Sequence, residues 1–133
     1  MIRLRSRINP FPKATKAKKK KVAGPSVLEK RFATLWKALH GPPLQTEVVF
    51  CPGRKWRADF LHPETRTLIE LEGGVFSGGR HTRGRGFVAD CEKYLEAWHL
   101  GFTVIRLTAP QLRKEVVARV VARINAQGPL DAN

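Results

Sequence analysis

The chain has 133 residues, 42% of them hydrophobic, which suffices for one small core and a single domain. Lys and Arg number 25 against 11 Asp and Glu, a formal net charge of +14, and that excess points to a polyanion, nucleic acid above all, as partner. No apolar run approaches a membrane span and the N-terminus lacks a signal-peptide core, while Cys51 and Cys91 form neither a CxxC metal pair nor a disulfide framework; a reduced, cytoplasmic protein is expected.

Residues 1–25 hold nine basic side chains and no acid, with Lys18, Lys19, Lys20 and Lys21 in an unbroken run. Most of the net charge therefore sits in this stretch, which reads as a disordered basic arm for phosphates; a solubilising tail is the alternative. Ser26-Val27-Leu28-Glu29 matches the S-x-x-E capping box. It opens a helix with Leu28, Phe32, Leu35, Trp36 and Leu39 on one face, stopped by Gly41-Pro42-Pro43. Thr46–Phe50 reads as a strand, Cys51-Pro52-Gly53 as a turn, and residues 55–61 and 67–72 as a hairpin. The stretch from Gly73 to Gly86 reads as a glycine-rich loop. Phe87–His99 then forms a helix with Phe87, Cys91, Leu95 and Trp98 on one side, ended by Gly101. After a strand at Phe102–Leu107, Thr108-Ala109-Pro110-Gln111 is a second capping box with proline near the helix start. The last helix buries Leu112, Val116, Val120 and Ile124 and stops at Gly128-Pro129. The order α-β-β-β-α-β-α defines an α/β domain over residues 26–133, a mixed sheet flanked by helices.

The hairpin is the most informative element, because it sets acids inside two apolar strands of a basic chain. A turn centred on Glu64-Thr65 pairs residues whose numbers sum to 129. Asp59 then faces Glu70, Arg57 faces Glu72 and Leu61 faces Leu68. Alternation puts Arg57, Asp59, Leu61, Leu68, Glu70 and Glu72 on one face, and Trp56, Ala58, Phe60, Ile69 and Leu71 on a core face. Opposed carboxylates repel unless a divalent cation lies between them, and oxygen-only ligands suit Mg²⁺ or Mn²⁺. A solvated polar face on a half-exposed hairpin accounts for the same pattern without a metal.

These features resemble the PD-(D/E)XK nuclease superfamily, whose restriction-endonuclease-like fold has an αβββαβ core. The chain looks closest to the small very-short-patch-repair-like and phage-encoded nucleases, through Arg57–Phe60, Ile69–Gly73, His81, Asp90–Lys93 and Gly101–Arg106. The resemblance implies Mg²⁺- or Mn²⁺-dependent hydrolysis of DNA phosphodiesters, by an endonuclease or nickase of bacterial or phage origin. It makes Asp59 and Glu70 metal ligands, with the Leu71 carbonyl completing the site. Glu29 matches the first-helix acid of many members, although the capping box alone also explains it. Glu72 departs from the family pattern, which has lysine there.

Lys93, three residues after Asp90, is a candidate for the displaced cation that stabilises transition-state charge; an ordinary solvated lysine is the competing reading. Glu72 either binds a second cation or pairs with Arg57. His81 is a candidate phosphate ligand or proton carrier. Arg80, Arg83 and Arg85, set among glycines, are suited with Arg57 to contact DNA phosphates. A homodimer is one route to cutting both strands, though no segment of the sequence marks an interface. The rival to an enzyme is a non-catalytic DNA- or RNA-binding protein on a degenerate nuclease fold.

Overall fold

The structure, a computed structural model, describes residues 24–73 and 80–129, with the side chains of residues 80–83 excluded. Seven elements of regular structure and one 3₁₀ turn follow in the order α1 (Val27–Ala38), β1 (Gln45–Val49), β2 (Arg57–His62), β3 (Thr67–Glu72), α2 (Arg80–His99), β4 (Thr103–Thr108), a turn at Ala109–Gln111, and α3 (Lys114–Gln127). The four strands form one mixed sheet in the order β1-β2-β3-β4. The first three are antiparallel neighbours, and β4 returns parallel to β3 after the α2 crossover.

Helices cover both sides of the sheet. On one side Phe32 and Trp36 of α1 and Val117, Val121 and Ile124 of α3 pack with Phe60, Ile69 and Leu107. On the other, Ala97 of α2 packs with Ala58, Leu61, Leu68, Phe50 and Cys51. The hairpin pairs in the expected register, with Phe60 opposite Ile69, Leu61 opposite Leu68 and His62 opposite Thr67. Its turn is locked by buried side chains: His62 Nδ1 lies 2.8 Å from Thr65 Oγ1, which lies 2.9 Å from Thr67 Oγ1.

Three expectations need correction. The hairpin is not half-exposed, since β2 and β3 are buried through most of their length. Trp56 and Ala58 do not share a face with Phe60: they belong to the α2-side core, so alternation breaks at Asp59. The glycine-rich segment is helical from Arg80 onward, because the glycines at 84 and 86 lie on an exposed helix and lower its propensity without breaking it.

Smaller shifts occur at the C-terminus. The second capping box closes the 3₁₀ turn, with the Thr108 N–H donating to Gln111 Oε1 at 3.0 Å, and α3 starts after it. Its buried stripe is Val117, Val121 and Ile124, one residue on from Val116 and Val120, which are only partly buried. Ser26 caps α1 as expected, accepting from the Glu29 N–H at 3.2 Å. Gly101 ends the turn after α2 at φ 83°, a backbone state that favours glycine. The basic arm falls on residues 1–23 for all but its last two positions, so Lys18, Lys19, Lys20 and Lys21 lie outside the described residues.

Candidate active site

The sheet opens around Asp59. The β1–β2 ladder pairs Thr46 with Phe60 and Val48 with Ala58, passing over Glu47 and Asp59. The β2–β3 ladder runs only as far as Phe60 and Ile69. Beyond it, the Leu71 N–H donates to Asp59 Oδ2 at 2.8 Å, so a carboxylate replaces a backbone acceptor. Glu47 has φ 52°, a left-handed conformation costly for a residue with a Cβ. Strain of this kind persists where the surroundings enforce it, and it clusters at functional sites.

This irregularity delivers three acids to one place. Glu29 from α1, Glu47 from β1 and Asp59 from β2 each offer a carboxylate oxygen, all within 4.8 Å of one another. Burial raises the Asp59 pKa above the usual carboxylate range, against the lowering effect of the Leu71 N–H, and the charge of Glu29 adds to the rise. Burial and then the Glu47 charge raise Glu29. A cleft of about 310 Å³ adjoins these acids, lined by Glu29, Lys30, Ala33, Thr46, Glu47 and Phe60.

Glu70 is not in this trio. Its Oε1 accepts from Lys93 Nζ, and its Oε2 accepts from Tyr94 Oη at 3.3 Å. Lys93 is no ordinary solvated helix lysine. Its side chain is only 14% exposed, and its ammonium also donates to the Arg57 carbonyl at 2.7 Å, tying α2 to both hairpin strands. Burial raises the Glu70 pKa; Lys93 lowers it and the charge of Asp59 raises it, so the two acids remain in electrostatic contact.

Glu72 does not pair with Arg57. It accepts from Arg106 Nε at 2.8 Å and from Tyr94 Oη at 3.2 Å. The parallel strand β4 brings Arg106 opposite Glu70, one step from Glu72, whereas the hairpin ladder ends before it reaches Arg57. Burial pushes Glu72 upward, but the Arg106 hydrogen bond and charge outweigh it and leave the pKa lowered. The Arg106 guanidinium also lies 4.4 Å from the Tyr94 ring centroid and 3.6 Å from Asp90 Oδ2. Burial and the two flanking glutamates push the Tyr94 phenol pKa upward, so at neutral pH it keeps the proton it donates.

Among the remaining candidates, Arg57 and Arg85 are exposed, whereas Arg80, His81 and Arg83 lie on the first turn of α2 with side chains outside the described residues. Leu71 enters the site through its N–H. Sequence reasoning missed Glu47, Tyr94 and Arg106. The interval Asp90–Lys93 carried the only signal for Tyr94, since it put α2 against the acids. No described helix is long and apolar enough to cross a membrane. No family model matches the chain, and no match was found among curated proteins or solved structures.

Proposed function

We propose that this chain is a metal-dependent DNA endonuclease or nickase with a restriction-endonuclease-like, PD-(D/E)XK fold. The observation that carries the proposal is a buried ammonium, Lys93, seated against Glu70 while Glu29, Glu47 and Asp59 converge beside it. Three carboxylates and no nitrogen or sulfur donor form a hard-cation set, which fits Mg²⁺ or Mn²⁺. The raised Asp59 and Glu29 pKa values express a crowding of negative charge that a cation relieves. Such an ion, when bound, supplies a more acidic water and positive charge for the phosphate oxygens.

The residues divide the remaining work. Glu29, Glu47 and Asp59 would hold the ion. Lys93 offsets charge developing on the phosphate and orients Glu70. Tyr94 and Arg106 fix Glu70 and Glu72, so Glu72 serves as an anchor for Arg106 rather than as a second metal ligand. Arg57, Arg80, Arg83 and Arg85, His81 and the arm lysines Lys18, Lys19, Lys20 and Lys21 supply phosphate contacts that position the duplex.

A second proposal, a non-catalytic DNA- or RNA-binding protein, is favoured by a specific observation. Glu70 and Glu72 are already satisfied by Lys93, Tyr94 and Arg106. Incubation with Mg²⁺ or Mn²⁺ and a panel of duplex, branched, single-stranded and supercoiled DNA, with RNA alongside, separates the two. An enzyme yields metal-dependent scission of DNA; a binder retards the same substrates equally well in chelator and leaves them intact.

A further inference from the structure

The apolar stripe of α2 faces outward. Phe87 is 68% exposed, Leu95 55% and Trp98 69%, with Val88 and Cys91 exposed beside them. At 100° per residue Phe87, Cys91, Leu95 and Trp98 share one flank of the helix, while Lys93 and Ala97 on another flank face the sheet. The helix is thus inverted relative to the usual amphipathic arrangement, its charged side inward at the site and its apolar side free. The stripe amounts to about 450 Å² of apolar surface, at the upper end of what a monomer leaves exposed.

We infer that this face is the contact between two copies of the chain, packed antiparallel through α2. The pattern is self-complementary about a twofold axis between Glu92 and Lys93: Phe87 of one copy meets Trp98 of the other, and Cys91 meets Leu95. Charge sets the direction. The first six residues of α2 carry Arg80, His81, Arg83 and Arg85 with no acid, and Asp90, Glu92 and Glu96 follow in the rest. Antiparallel packing brings each basic end toward the acidic half of the other helix and opposes the two helix dipoles; parallel packing stacks like on like. Two stripes together remove roughly 900 Å² of apolar surface, which with flanking polar groups reaches the ~1,200 Å² where specific interfaces begin.

This proposal is independent of the chemistry at the acids, and its test involves no cleavage. Light scattering at micromolar concentration should give twice the 15.0 kDa chain mass. Leu95→Glu and Trp98→Glu change only exposed positions, so each should keep the wild-type circular dichroism and melt yet run as a monomer. In the dimer the two Cys91 residues are about three residues apart along the helix axis, so a short bismaleimide should join them, and Cys91→Ser should not crosslink. A monomer at all concentrations, with and without DNA, overturns the proposal and leaves the stripe to another occupant. A dimer that persists in both glutamate variants overturns it as well.

Discussion

Asp59 is expensive to keep ionised where it sits, and the expense has a measurable sign. Its folded-state pKa is raised, by burial first and by Glu29 next. Its favourable contribution to folding is therefore fully present below the unfolded-state pKa and is lost as pH rises through the folded-state value. At neutral pH without metal, Asp59→Asn should melt a few degrees above wild type, a gain that shrinks as both are taken into acid. Asparagine keeps an acceptor for the Leu71 N–H, so a variant that melts lower at neutral pH would refute this account of the carboxylate. Lys93 answers to a kinetic measurement. Lys93→Ala should slow single-turnover cleavage by about 10²–10³, comparable to the loss of an oxyanion donor. It should also cost about 1–3 kcal/mol of stability, because Glu70 is left buried without its cation. Stability lost with the rate unchanged would make Lys93 a structural tie between α2 and the hairpin and nothing more.

At the scale of elements, the hairpin was legible because a period of two and a six-residue turn region leave one register that buries its apolar residues. The acids on it were legible for the same reason. Glu47 was hidden because its role depends on a left-handed residue inside a strand, and local sequence carries no signal for that. The face of Ala58 was misassigned for a related reason, since alternation fails at the neighbouring Asp59. The Glu72 partner was missed because β4, a parallel neighbour reached through a crossover, supplies Arg106. Two substitutions separate these elements. Glu47→Gly should relieve the left-handed strain and raise stability by up to about 1 kcal/mol, yet increase the Mg²⁺ needed for half-maximal rate. Glu72→Gln should do neither. It weakens a partly exposed pair with Arg106, worth under about 1 kcal/mol, and should leave the Mg²⁺ requirement as it was. Denaturation midpoints and metal titrations of the two variants check both statements, and a raised Mg²⁺ requirement in Glu72→Gln would make Glu72 a metal ligand.

For the whole molecule, charge and chemistry are divided between the basic arm and the folded body. Deleting residues 1–25 should flatten the dependence of DNA affinity on salt, since each phosphate that the arm no longer neutralises lowers the slope of log K against log[salt] by about 0.9. Equal slopes for full-length and truncated protein would mean that the arm does not touch DNA. The central claim is the metal-dependent chemistry at Asp59, and single-turnover cleavage of supercoiled DNA by wild type and Asp59→Asn tests it most directly. Wild type should nick or linearise the DNA in Mg²⁺ or Mn²⁺ and stop in chelator. Asp59→Asn should bind at least as tightly and cut at least about 10²-fold more slowly. Cleavage by Asp59→Asn at the wild-type rate, or intact DNA after incubation with pure wild-type protein and either metal, would contradict it.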